Sequence, residues 1–347
     1  MNTLVLFALV VIIIAVLVLP FSVKKVEEEL EIFLFIMGTI SLTVSNLWSK
    51  DLIIQALKEP IPISITVLIM GLLFKLFRKK LIYLSKKLIE KYKAEFVVFS
   101  VVFVLGAFSS IITAIIASLI LSEIISIMKF KRDYEIKITV LGCFAIGAGA
   151  ALTPIGEPLS TIVVSKLKSP PHNADFFYLI KNLAHWIIPI ITVFSLLASK
   201  KASKNLSMQD GLTEEYIETS KTIILRAFKV YLFVMALVFL GTGIKPLTQA
   251  VITKLKPEIL YWMNSISAIL DNATLAASQI IPELSDRQIT FIIMGLIISG
   301  GFLIPGNIPN IICASKLNIK SKEWAKYGLL YGIPTMVIYF FILYFFA

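Results

Sequence analysis

The chain has 347 residues, 58% of them hydrophobic and only 16% charged, with a formal net charge of +11. A soluble fold cannot hide that much apolar surface, so the composition points to a polytopic membrane protein. The positive charge falls mostly in short loops between apolar runs, where the positive-inside rule and anionic lipid account for it and nucleic-acid binding is set aside.

The first run, "MNTLVLFALVVIIIAVLVLPF", has neither a basic start nor a small-residue cleavage site and reads as a retained span over 2–22. Ordinary spans follow over 31–48, 60–78, 176–199, 220–241 and 323–346. Residues 138–168 and 287–317 read as broken spans. Between 60–78 and the first broken span, "RKKLIYLSKKLIEKYK" (78–93) sets Leu81, Leu84, Leu88 and Tyr92 on one face and lysines elsewhere, which predicts an amphipathic helix on the cytoplasmic leaflet.

Residues 94–128 and 257–284 fit no ordinary span. Crossing once takes about 20 residues and crossing twice about 40; these stretches fall between. Each has a polar midpoint, Ser109-Ser110 in the first and Asp271-Asn272 in the second. Both read as re-entrant hairpins, with backbone at membrane depth buried in protein or lining a wet cavity. With eight crossings, 24 of the 33 Lys and Arg lie on the side opposite the termini. That places both termini outside the cytoplasm and the protein in the cell membrane.

The chain repeats itself. "GEPLSTIVVSKL" (156–167) aligns with "GNIPNIICASKL" (306–317) at an offset of 150, and "SSIITAIIAS" (109–118) with "DNATLAASQI" (271–280) at 162. An odd number of crossings per unit makes the second copy inverted, the architecture of secondary transporters. The expected fold is an all-α polytopic membrane protein of two inverted repeats, each with a re-entrant hairpin and a broken helix. Scaffold spans would occupy 1–58, the first repeat 59–199, a cytoplasmic linker 200–219 and the second repeat 220–347.

The broken spans carry "AIGAGAALTPIGEPLSTIVV" and "SGGFLIPGNIPNII". Their Gly and Pro free carbonyls and amides in mid-membrane, which suit cations and anions respectively. Asp271 is an intramembrane acid, functional by default. Asn272, Thr274, Ser267 and Ser278 offer neutral oxygens nearby, the hard ligands that suit Na⁺. Glu157 in "IGEPLS" is a further ligand or proton relay, and Asn310 completes the shell. Ser109, Ser110, Thr153 and Asn307 are expected to line the same cavity. His172 and His185 read as interfacial residues, and Cys143 and Cys313 as small core residues.

These motifs resemble the ion transporter superfamily, which includes arsenite permeases, D-type sodium/proton antiporters and divalent-anion/sodium symporters. "SAILDNATLAA" is similar to the "SAxxDN" hairpin tip of the antiporters and arsenite-permease relatives. "GAALTPIGEPLSTIVV" and "LIPGNIPNIICAS" are similar to the superfamily's "ATPIGxPxNxI" loop and its second copy. The resemblance covers about residues 95–347 and is nearest to short prokaryotic proteins classed as cation transporters. The chain departs from the symporters' Ser-Asn-Thr tips, and Ser160 replaces the first loop Asn. The resemblance implies an elevator mechanism on a dimeric scaffold.

The expected function is exchange of a monovalent cation, Na⁺ first, for protons, with Asp271 as the shared site and Asp271 and Asn272 as sodium ligands. Sodium-coupled symport of a small carboxylate or oxyanion is the alternative. An intramembrane enzyme is set aside: there is no HExxH, no paired GxGD aspartate, no GxSx nucleophile with a helix His, and no P-loop. No resident cofactor is expected.

Overall fold

The computed structural model describes residues 3–23, 25–26, 29–69, 72–73, 75–76, 91–206, 219–252 and 255–347. The expected amphipathic helix up to residue 90 and residues 207–218 of the expected linker lie outside the described residues. Within them every named element is helical, and the one extended pairing is a single bridge between Phe130 and Leu206. Five of the described helices are long and apolar enough to cross a bilayer: Lys50–Ile69, Ala94–Ile112, Tyr178–Ser199, Ser220–Ile244 and Ser321–Phe346. The protein is an all-α membrane protein.

In chain order, α1 (Thr3–Ser22), α2 (Leu30–Ser45) and α3 (Lys50–Ile69) precede α4 (Ala94–Ile112) and α5 (Ala114–Met128). Next come α6 (Arg132–Ala150), α7 (Pro158–Lys166) and α8 (Tyr178–Ser199). The second half holds α9 (Ser220–Ile252), α10 (Pro257–Met263) with a 3₁₀ turn over Asn264–Ala268, and α11 (Asn272–Gln279). It closes with α12 (Asp286–Gly300), α13 (Ile308–Leu317) and α14 (Ser321–Phe346).

Burial sorts these helices. From Ile138 to Ala150 every residue of α6 is buried, and the inner half of α12 matches it. A helix apolar on all faces belongs in the centre. By contrast α14 exposes Leu330, Ile333, Phe341 and Phe345, an apolar face suited to lipid. Helices α2 and α9 approach closely through small residues, with Gly243 against Ser41 and Gly38 against Ala236.

The helix breaks follow from the local sequence. α6 stops where Pro154, Gly156 and Pro158 interrupt it, and α12 stops before Pro305, Gly306 and Pro309. Side chains satisfy the freed carbonyls: Ser160 Oγ donates to Ala150 O at 3.3 Å, and Asn310 Nδ2 to Gly300 O and Leu303 O at 2.8 and 2.9 Å. α12 starts at a capping box between Ser285 and Gln288.

Hydrogen bonds define two poles. At the first, Ser203 N donates to Glu95 at 2.9 Å and Lys131 N to Asn205 O at 2.9 Å, so residues 94–128 begin and end against the same short segment. Arg132 caps the far end of α13 through Leu317 O and Asn318 O, both at 2.8 Å, and Lys326 pairs with Asp133 at 2.5 Å. At the second pole Gln288 reaches Leu255 O at 3.5 Å and Arg287 pairs with Glu258 at 3.5 Å, so residues 257–284 also begin and end together. Arg287 further donates to Tyr344 O. Lys326 and Tyr344 mark the two poles along α14, eighteen residues apart, or about 27 Å at helical rise. Hence α6 and α7 run from the first pole to the second, and α12 and α13 run back.

Several elements and contacts of the two halves recur at constant offsets. α6 and α12 end 150 positions apart, and α7 and α13 begin 150 apart. Ser109 Oγ donates to Ile146 O at 2.9 Å; Ser267 Oγ donates to Leu296 O at 3.4 Å. The acceptors keep the offset of 150 while the donors differ by 158. Gly106 against Ala145 and Asn264 against Gly295 repeat the same pair of offsets. These contacts pair Ser109 with Ser267 at an offset of 158, where the sequence comparison set Ser109 against Asp271 at 162. The reason is the turn: Ser109 and Ser110 lie inside α4, and the chain reverses at Thr113, whose φ of 74° breaks the helix and whose hydroxyl caps α5.

Where Gly106 backs directly onto Gly149, the second half has side chains instead. Ser299 donates to Asn264 O at 2.6 Å, Gln279 to Asn264 Oδ1 at 2.6 Å, and Asn264 to Ile292 O at 3.2 Å.

Candidate functional site

The site assembles where the turns of 94–128 and 257–284 meet the two helix breaks. On one side Thr153 Oγ1 donates to Ser110 O at 2.5 Å and Ala114 N donates to Gly156 O at 2.9 Å. Gly156 must be glycine here, because a Cβ would lie 2.0 Å from Ala150 O. On the other side a Cβ on Gly306 would lie 2.5 Å from both Gly300 O and Ser267 O. Both turns are thus held directly against backbone.

Two residues cross between the halves. Glu157 lies beside Asp271 and Asn272 of the second turn. Asn307, its counterpart 150 positions on, packs against α6, with Nδ2 2.5 Å from where a Cβ on Gly147 would stand. Both are the N-cap residues of short helices, α7 and α13, and both have extended backbone. An Asn at that position commonly bonds its own first turn, whereas a Glu commonly does not. Neither does so here. Two helix N-termini therefore meet the centre with their side chains turned to other work, and both bring partial positive charge towards it.

Three buried polar atoms in this region have no hydrogen-bond partner: Glu157 Oε1, Asn272 Nδ2 and Asn310 Oδ1. Glu157, Asn272, Asn307 and Asn310 are all buried, and Asp271 is partly exposed. The orientation of Asn310 is fixed by its two carbonyl acceptors, which can be served only by the amide nitrogen, so its oxygen is the spare acceptor. A buried acceptor left unmade costs about 1–3 kcal/mol, and several together mark a place built for a bound species.

Of the expected residues, Ser109 is buried with its hydroxyl spent on Gly106 O and Ile146 O, so it fastens α4 to α6. Ser110 contributes its carbonyl to Thr153. The side chain of Thr274 lies outside the described residues. Thr113 and the Asn264–Gln279 pair were not foreseen. Thr113 sits in an apolar run without Gly or Pro, and only its capping hydroxyl could have signalled a turn.

The donor set is carboxylate, amide oxygen and backbone carbonyl, which suits a hard cation rather than a thiophilic metal. Among the described residues no three His, Cys, Asp or Glu side chains gather as a metal cluster.

The family model described as a protein of unknown function, DUF1646, matches residues 6–346. The chain belongs to that family. No curated protein matches it.

Proposed function

We propose that the protein is a secondary transporter that exchanges a monovalent cation, Na⁺ in the first instance, for protons. The observation that carries this reading is the meeting of Glu157 with Asp271 and Asn272, beside two buried acceptors without a hydrogen-bond partner, Glu157 Oε1 and Asn310 Oδ1. Two carboxylates side by side, one of them buried, cannot both stay charged without a cation or a proton between them. A proton and Na⁺ then compete for one site, and competition with alternating access is sufficient for exchange. Asn272 and Asn310 supply neutral oxygens, with the freed carbonyls completing the shell.

The same reading takes 94–128 and 257–284 as re-entrant hairpins and the two halves as inverted repeats. Supporting it are the paired ends of each segment and the opposed directions of α6–α7 and α12–α13. The first pole, rich in Lys and Arg, would face the cytoplasm of the cell membrane, leaving the termini outside. The hairpins and broken helices would move as one body against a dimeric scaffold of α1, α2, α3 and α9, in line with the resemblance to the ion transporter superfamily.

A second reading, sodium-coupled symport of a small carboxylate or oxyanion, is favoured by the two helix N-termini whose side chains do not cap them, since helix N-termini attract anions.

The test is flux in proteoliposomes under an imposed pH gradient. Asp271→Asn and Glu157→Gln should each abolish Na⁺-dependent proton release while leaving unfolding temperature near that of the parent. Exchange at the original rate in Asp271→Asn would exclude antiport through this site. Anion-dependent Na⁺ uptake without proton movement would establish symport.

A further inference from the structure

We propose that Asn264, Gln279 and Ser299 hold water between the arms of 257–284 and α12, and that this water relays protons between the central carboxylates and the second pole. The inference rests on the exchange reading above and adds a route to it. Each amide is oriented by its neighbours. Ile292 O can only accept, so the Asn264 group 3.2 Å from it is Nδ2, and Oδ1 faces Gln279. The Gln279 group 2.6 Å from Oδ1 must then be Nε2, which turns Oε1 away. That oxygen is buried without a hydrogen-bond partner, on a residue only 1% exposed. Ser299 Oγ lies 2.6 Å from both Asn264 O and Gly295 O. Its one hydrogen serves one of them at a time, so the hydroxyl has two resting orientations. A buried amide oxygen with spare lone pairs, next to a hydroxyl that can turn, is a seat for water. The three side chains are neutral, so a bare cation here would lack a counter-charge, whereas water would not.

The cluster stands half-way between the centre and the second pole. α11 runs from Asn272 at the centre to Gln279, and α10 with its cap runs from Pro257 at the pole to Asn264. Each step is about 10 Å at helical rise. Inwards, Ser267 Oγ and Asn272 Nδ2 both face Gly300, the neighbour of Ser299, at 3.5 and 3.8 Å from where its Cβ would stand. Asn272 in turn lies beside Glu157. Outwards, Glu283 lines an open cleft four residues beyond Gln279.

The first half has no such cluster. α5 and α11 begin 158 positions apart, and α6 and α12 end 150 apart. At those offsets Leu121 stands in place of Gln279, Gly106 in place of Asn264 and Gly149 in place of Ser299. Leu121 fills the space beside Gly142, 2.5 Å from where a Cβ would stand, and Gly106 O lies 1.8 Å from where a Cβ on Gly149 would stand. An arm can thus be fastened to its broken helix without polar side chains, and their presence on the second arm calls for another purpose. A relay supplies it, and opens the centre to protons from the second pole. Each hop breaks one O–H bond and forms another. A proton entering at one end releases one at the other, so no further reactant is needed.

Two fluxes of the full-length protein in proteoliposomes separate a relay from a packing role. Na⁺-driven proton movement needs proton transfer, whereas exchange of labelled Na⁺ for unlabelled Na⁺ through the same site does not. Gln279→Leu should slow the first severalfold and leave the second at the parent rate. Equal slowing of both would make Gln279 a packing residue, and no slowing of either would send the protons elsewhere; each result overturns the relay. Should Gln279→Leu fail to fold, Ser299→Ala is held to the same split between the two fluxes. A parent that moves no protons refutes the exchange reading and the relay with it. A parent that moves both ions, with Gln279→Leu its equal, refutes the relay alone.

Discussion

Replacing Gly149 with Ala tests how tightly the first turn is held against its broken helix. A Cβ there would lie 1.8 Å from Gly106 O and 2.7 Å from Ser109 Oγ. Carbon and oxygen without a strong bond rest about 3.3 Å apart or more, so α4 must retreat by roughly 1.5 Å. The obstacle is backbone and cannot rotate away. Overpacking commonly costs about 1–3 kcal/mol, and this geometry belongs at the upper end. Ala gains back about 0.8–1.0 kcal/mol of helix propensity over Gly, leaving a net loss of about 2 kcal/mol. The φ at Gly149 is not positive, so backbone strain adds nothing. Gly300→Ala is the control: its nearest contact would be Gly306 O at 3.2 Å, and the two terms should cancel to within about 1 kcal/mol. Thermal unfolding of the purified protein in detergent reads both. If Gly149→Ala is as stable as its parent, or Gly300→Ala is the worse of the two, the close approach of α4 and α6 is not what fixes the turn.

Two further substitutions probe elements that flank the site. Glu123 and Lys316 form an ion pair buried between α5 and α13; Glu123→Gln should cost about 3–5 kcal/mol because it removes the carboxylate that balances a buried lysine, and adding Lys316→Met should recover much of that, as read by unfolding in a double-mutant cycle. Thr113 has φ 74° and ψ 149°, a region almost reserved for glycine; Thr113→Gly should therefore be more stable than Thr113→Ala by about 1–3 kcal/mol, and equal stability would mean the turn is unstrained.

The helix breaks were legible because Pro and Gly announce themselves. Pro154, Gly156 and Pro158 stop a helix in any context, and the matched run ending in Ser-Lys-Leu fixed the offset between the two copies. The register of the turns was not legible. Ser109-Ser110 looks like a polar tip, yet serine inside an apolar helix can return its hydroxyl to the preceding turn, as Ser109 does with Gly106 O. Asp271 stood out on charge alone. A cavity shared with Glu157 was expected from the two helix breaks and the polar midpoints, although nothing local couples the two residues. The partners of His172 were not legible. Its three acceptors come from a segment more than a hundred residues away, and a loop histidine after Ser-Pro-Pro carries no sign of them.

The two arms are fastened in different ways, with a mechanical consequence. Gly106 and Gly149 put one backbone on another, a joint with no rotatable part. Asn264, Gln279 and Ser299 hold the other arm through side-chain hydrogen bonds, and Gln279 Oε1 is left buried without a partner. Such bonds can be traded for bonds to water at a net loss of only about 1 kcal/mol each, and an unsatisfied oxygen gains from wetting. The second arm is therefore the compliant one. Under load the second arm should part from the inner end of α12 before the first arm parts from α6.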